Sequence, residues 1–236
     1  MALVKEVIDK AKVILQDTTS IRWPEDELIG WVNDACREVA LIKPDASSRN
    51  EIVPLTAGTK QWLPAAGLRL LRVVRNISDP VNNIGGRAIR LVSREVLDAQ
   101  QPDWHDPEST GLSAFGGVVK HYMYDEQDPQ HYYVYPGIDG AIRPAPTIEI
   151  IYSGNPETVD SINDPIPIPE MYNNAILNYV LYMAYMKDAE YAGNNQRAAN
   201  HYQIFTSAVT GKGQIDVITT PNVESRSNPN LTATEA

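Results

Sequence analysis

The chain offers few side chains whose type and spacing could do chemistry, and each set has a plainer structural reading. Asp125, Glu126 and Asp128 place three carboxylates within four residues, a density that suits Ca²⁺. A calcium loop needs about six oxygen ligands and usually a Gly to turn the chain, and neither is evident here, so a solvated hairpin turn is expected. Trp104-His105-Asp106 sets a possible general base beside a carboxylate. Adjacent residues seldom aim at one atom, and no Ser or Cys sits in a recognisable nucleophile elbow. The histidines, at 105, 121, 131 and 201, lack metal-ligand spacing. His121 and His131 are expected to face each other across a hairpin, which leaves a two-histidine metal site as the minor alternative. Gly85-Gly86 and Gly116-Gly117 are not followed by the Lys-Ser/Thr pair of a phosphate loop. No catalytic, cofactor-binding or metal-binding residue is assigned, and no cofactor is expected.

Tyrosines outnumber phenylalanines twelve to two. Tyr122, Tyr124, Tyr132, Tyr133 and Tyr135 would make a stacking platform for bases or sugars, but a base platform needs flanking Lys and Arg. Packing in the core and at subunit interfaces, with hydroxyls reaching polar rims, is the better account. Cys36 is the only cysteine, which excludes an internal disulfide and a thiol-rich metal site. It lies within a helical pattern and reads as a small core residue.

The elements that position these residues follow from periodicity. Leu3, Val4, Val7, Ile8, Ala11, Ile14 and Leu15 recur at helical spacing. Pro24 and the acids Glu25, Asp26 and Glu27 open a second helix, whose apolar face is Leu28, Trp31, Val32, Ala35 and Val39. Lys43-Pro44 ends it. From Ser48 the pattern turns strand-like: Glu51 to Leu55, Leu70 to Ile77, Arg87 to Val92, Val118 to Tyr124, His131 to Tyr135 and Thr147 to Tyr152. Turns are expected at Ala57-Gly58-Thr59, Asn82 to Gly86 and Asp125 to Pro129, and Ser93 would cap a short helix through Gln100. The strands are expected to be antiparallel and locally connected. Asp164-Pro165-Ile166-Pro167-Ile168-Pro169 is a stiff connector. Helical spacing then returns from Tyr172 to about Tyr191, and again through Ala198, Tyr202, Phe205 and Val209 to a stop at Gly211. The remainder, rich in Asn, Thr, Ser and Pro, is expected to be mobile until a partner binds it.

The fold class is therefore α+β. An antiparallel helical bundle is formed by the N- and C-terminal helices, with an inserted antiparallel β-rich region and an extended C-terminal tail. The expected organisation is a helical hairpin over 1–47, the β-rich insertion over 48–160, a second helical hairpin over 161–211 and the tail over 212–236. Thirty acidic against twenty basic residues give a formal charge of −10, which argues against wrapping nucleic acid by phosphate neutralisation. No apolar run approaches the ~20 residues that span a bilayer, and the first residues lack a signal peptide's pattern, so a soluble protein made in a cytoplasm is expected. Asn76-Ile77-Ser78 and Asn230-Leu231-Thr232 match the glycosylation pattern, and without secretion they read as coincidence.

Several segments taken in order carry a resemblance. They are Trp23-Pro24-Glu25-Asp26-Glu27-Leu28 with Trp31-Val32-Asn33-Asp34-Ala35; Pro102-Asp103-Trp104; His121 through Pro129; Tyr132-Tyr133-Val134-Tyr135-Pro136; Ile150-Ile151-Tyr152; Leu181 through Ala189; and Ala198 through Tyr202 with Phe205. Together, over roughly residues 1–211, they resemble the head-to-tail adaptor proteins of short-tailed bacteriophages. The resemblance implies a structural virion protein of the neck and not an enzyme. It implies a homo-oligomeric ring, typically of twelve copies, beneath the portal protein of a filled capsid. Such a ring bridges the portal to the tail tube or nozzle protein and extends the channel through which double-stranded DNA is ejected. The partner-docking residues proposed for the tail are Ile215, Val217, Ile218, Val223 and Leu231, apolar side chains with no local core to join. The competing reading is a tail-associated glycan-binding or hydrolytic module, which would need paired carboxylates converging in one cleft.

Overall fold

The computed structural model describes residues 2–191 and 193–219. The chain is α+β, with five α-helices and two β-sheets among the described residues. It divides into two compact units, one built by the segments up to Ala46 and from Pro156 onward, the other by Ser47–Asn155.

In the helical unit, α1 (Val4–Leu15) buries Val4, Val7, Ile8 and Ala11 of the expected stripe, whereas Leu3, just before the helix, and Ile14 are exposed. Gln16, in the left-handed region at φ 57°, ends it. The Asp17 carboxylate then accepts the backbone N–H groups of Ile21, Arg22 and Trp23 at 2.8–3.0 Å. Those bonds, with Trp23 foremost, hold its carboxyl below the usual range. The three acids expected for the first turn open α2 (Glu25–Ile42), with Pro24 as its N-cap. Its buried face includes Leu28, Trp31, Val32, Ala35, Cys36 and Val39. Burial pushes the Cys36 thiol up to about 12, so it stays protonated and inert.

After a short 3-10 turn, α4 (Asn173–Lys187) is apolar nearly all round, and α1, α2 and α5 (Asn194–Thr219) all pack against it. Ala198, Phe205 and Val209 are the buried face of α5. The expected helix stop at Gly211 is a misreading. The helix runs through Gly211 and Gly213 to Thr219, so residues 212–219 do not begin an extended tail. An interior glycine costs only about 1 kcal/mol, and the Lys212–Asp216 ion pair at 2.6 Å spans one turn there. Residues beyond Thr219 lie outside the described set.

The two ends of the chain are sewn together. The proline-rich connector runs beside the first residues: Val4 N–H donates to Asp164 O (3.0 Å), Lys5 N–H to Ile162 O (2.8 Å) and Ile166 N–H to Ala2 O (3.0 Å). Ile166 and Ile168 are buried in the same core. Asn33, buried on α2, acts as a peptide group turned sideways. Its Nδ2 donates to Val159 O and its Oδ1 accepts Val159 N–H, both at 2.9 Å.

The second unit holds β1 (Ser48–Pro54), β2 (Gly58–Trp62), β3 (Gly67–Asp79), β4 (Ile84–Ala88), β5 (Arg90–Leu91), β6 (His121–Tyr124), β7 (His131–Ile138) and β8 (Thr147–Gly154), with the helix α3 (Arg94–Gln100) between β5 and β6. One sheet runs β1-β8-β3-β4 and the other β2-β7-β6-β5. Every pairing is antiparallel except the two-residue β5–β6 ladder. Val73, Ile148, Ile150 and Tyr152 from the first sheet meet Tyr122, Tyr132, Val134 and Ile138 from the second in one core. The opposite face of the second sheet is covered by α3 and Trp104, which pack with Met123 and Tyr135.

Three expectations for this region are corrected. β2 occupies what read as a turn, because its partner β7 lies some seventy residues downstream and leaves no local signature. Gly85 and Gly86 belong to β4 and not to a turn, and the end of the Arg75 side chain lies over Gly85, where a Cβ would stand 2.4 Å from Nη1. Connectivity is mostly non-local, since β8 pairs with both β1 and β3. Asn76 ties the arrangement: its Nδ2 donates to Arg87 O and Val119 O, and its Oδ1 accepts Val119 N–H, all at 2.8 Å.

Replacing Asn33 with Ala would strand the buried Val159 N–H and C=O, at about 1–3 kcal/mol each. The expected outcome is a loss of ~2–4 kcal/mol, read as a lower urea midpoint at unchanged slope. A loss below ~0.5 kcal/mol would show that the seam does not carry stability.

Candidate functional site

The residues that could do chemistry do not converge. Trp104 is fully buried, and its Nε1 donates to Asp98 at 2.7 Å. His105 bonds through Nδ1 to Thr59 Oγ1 at 2.7 Å, while Asp106 accepts the Glu108 N–H at 2.9 Å. The three neighbours thus serve three different partners. Burial, then the nearby Arg94 charge, lowers the His105 pKa and keeps the ring neutral at pH 7.

The expectation that His121 and His131 face each other is overturned by the register. Tyr135 stands opposite His121, and His131 sits beyond the Tyr124–Tyr132 pair at the turn end of the hairpin. His131 Nδ1 instead meets the Asp128 carboxylate, which also draws Lys60 Nζ to 3.6 Å. Asp125 accepts the Gln127 N–H, and Glu126 pairs with Arg69 at 3.3 Å, so the acidic trio is a self-satisfied turn. Among the described residues no three His, Cys, Asp or Glu side chains are grouped to hold a metal.

The tyrosines do not line one platform. With the period of two, Tyr122 and Tyr132 enter the core between the sheets, and Tyr133 and Tyr135 face α3. Tyr135 Oη donates to Leu112 O at 2.7 Å. Burial raises the Tyr132 phenol well above its usual value, which keeps it neutral.

Among the described residues a surface cleft opens in each unit. The cleft of about 650 Å³ in the β-rich unit is lined by Lys60, Trp62, His105, Phe115 and Asp139, and Asp139 is committed to the Ala141 N–H. The cleft of about 420 Å³ in the helical unit holds Arg22, which pairs with Asp188 at 2.7 Å and lies over the rings of Trp23 and Tyr191. Neither presents two carboxylates flanking a space where a bond could be cleaved.

What the surface does present is contact area. Of the proposed docking residues, Ile215 lies on α5 and is 57% exposed. Val217 and Ile218 continue that helix, with side chains outside the described set, and Val223 and Leu231 lie beyond the described residues. The anchor of this helix end has no local signature in the sequence. Lys43, only 9% exposed, reaches Asp216, which Lys212 also grips. Burial would lower the Lys43 pKa, but Asp216 and Tyr172 outweigh it and raise it. Leu41, two residues before this lysine, is 75% exposed. A basic residue closing α2 and an acid late in α5 were the only signals, and nothing local joins them.

Asp216 is held below the usual carboxylate range by Lys212 first and Lys43 second. Its contribution is therefore present above the unfolded aspartate pKa of about 3.9 and is lost as pH falls through the lowered folded value. Asp216→Asn should raise amide exchange over residues 212–219 several-fold at pH 7. The difference from wild type should vanish in strong acid, as followed by hydrogen exchange. Identical exchange at pH 7 would contradict the clasp.

A family model described as "SU10 adaptor protein" matches residues 2–227. The chain belongs to that family and is a phage head-to-tail adaptor, a structural component of the virion neck; the family is one of structural adaptors. No curated protein matches it.

Proposed function

We propose, proceeding from that membership, that this chain assembles as a ring of twelve copies beneath the portal of a short-tailed phage. The ring joins the portal to the tail tube or nozzle protein and continues the DNA channel. The family match over nearly the whole chain is the observation that carries this reading. The surplus of ten acidic charges supports it. At physiological salt, charges act over roughly 8 Å, so an acidic wall repels passing phosphates at close range without trapping them.

Portal docking is assigned to the C-terminal segment. Because α5 continues past Gly211, that segment begins as a helix carrying Ile215, Val217 and Ile218 and ends in the stretch with Val223 and Leu231. A helix end with Ile215 exposed and Asp216 held by Lys43 suits a groove on a partner, where burying each large apolar side chain contributes about 1.5–3 kcal/mol. The β-rich unit then meets the next tail component.

Native mass spectrometry of the chain mixed with its portal should give a closed ring of twelve. A chain ending at Thr219, and separately Ile215→Asp in the full chain, should each bind portal at least tenfold more weakly. Undiminished binding by both variants would contradict the docking role.

A further inference from the structure

The β3–β4 hairpin is a built arm with nothing to cover it. Residues 80–88 are all exposed, including Val81 at 90% and Ile84 at 53%. The arm is nonetheless well tied. The Asp79 carboxylate accepts the Val81 and Asn82 N–H groups (2.9 and 3.3 Å) and the Asn82 side chain (2.7 Å). Arg75 pairs through Nε with Glu149 on one side at 2.5 Å, while the end of its guanidinium lies over Gly85 and reaches Asn83 Oδ1 at 3.3 Å, and Asn76 holds Arg87 O at 2.8 Å. β4 is an edge strand, and a braced edge with an apolar tip is what proteins normally avoid leaving bare.

The arm's flank is basic. Residues 67–92 hold five arginines and a single acid, Asp79, which is spent on its own turn. Arg69 and Arg75 pair with Glu126 and Glu149. Arg72, Arg87, Arg90 and the nearby Lys120 make no ion pair among the described residues. Arg90 stands in register with His121, whose Nδ1 is buried with no hydrogen-bond partner among the described residues. Burial first, then the fields of Arg87, Arg90 and Lys120, keep His121 unprotonated, which places these cations around one spot.

The complementary charge is in the helical segments. Residues 1–46 and 156–236 carry eighteen acidic against ten basic residues, whereas 47–155 carry twelve against ten. Asp9, Asp26, Asp45, Asp160, Glu170 and Glu190 are exposed and make no ion pair among the described residues.

We infer that the β3–β4 hairpin is an intersubunit arm: the apolar tip Val81 and Ile84, with Arg87, Arg90 and Lys120 behind it, seats on the acidic helical unit of a second copy of this chain. This rests on the ring reading above and adds the contact that closes the ring. An apolar tip supplies burial, and the flanking charges select the partner and set the encounter rate. A nucleic-acid phosphate would satisfy the arginines but would leave Val81 and Ile84 uncovered, so a second copy fits the whole surface better.

The test uses the full chain with its portal. A photo-crosslinking residue at Val81, in rings mixed from light and isotope-labelled copies, should join to residues 2–46 or 156–219 of another copy. Crosslinks to 47–155 or to the portal would overturn the inference. Arg87→Glu with Arg90→Glu, and separately Val81→Asp with Ile84→Asp, should each cut ring yield at least tenfold while the isolated chain's melting curve stays unchanged. If both double variants form rings as wild type does, the arm is not the contact. Loss of duplex-DNA binding with normal ring yield would assign the arginines to phosphate and overturn it as well. If the wild-type chain forms no ring on portal, the ring reading itself fails and takes this inference with it.

Discussion

The structure depends on a seam between residues that are far apart in the sequence. The first turn of α1 is bonded to residues 162–166, and Asn33 on α2 holds both polar groups of Val159. Closing a loop of that length from an open chain costs on the order of 4–5 kcal/mol in entropy. The intervening segment lowers that cost. Ser48 pairs with Ser153 at the two ends of the β-rich unit, so once that unit has folded its termini are already side by side. The helical core can then close across a short effective loop. A β-rich unit strung between two helical segments is thus consistent with efficient folding, although most of its own strand pairings are non-local.

The polar side chains are spent on this architecture. Asp17, Asp79, Asp125, Asp139 and Asp164 each turn the chain by accepting nearby backbone N–H groups. Asn33 and Asn76 stand in for peptide groups where the backbone cannot satisfy itself. Carboxylates committed in this way are poor acids and bases. What is left over is charge and apolar area on the outside, the means by which a structural protein recognises its neighbours.

The helices were legible because burial on one face imposes a period that the sequence displays openly. The Val4-to-Ala11 part of the α1 stripe and the Leu28-to-Val39 face of α2 are where the spacing puts them, while Leu3 and Ile14 at the helix ends stay exposed. The β6–β7 hairpin was legible for the same reason, through its alternating aromatics. The rest depended on partners far away in the chain. β2 has no pattern of its own and exists because β7 offers an edge. Gly85 and Gly86 read as a turn, yet Arg75 lies over the first and Ser78 and Asn76 crowd the second within a paired strand. Gly211 read as a stop because glycine so often ends helices, yet Lys43, Lys212 and Asp216 carry α5 past it. The assignment of the histidines failed on register alone, a quantity set by the turn and invisible in composition.

The central claim is that this polypeptide works by holding protein neighbours in place within the neck of the particle. Electron cryo-microscopy of the intact virion tests it most directly. Density for this chain should lie between portal and tail, in a closed ring around the DNA path. A neck resolved to side-chain detail in which this chain is absent, or sits away from the portal, would contradict it.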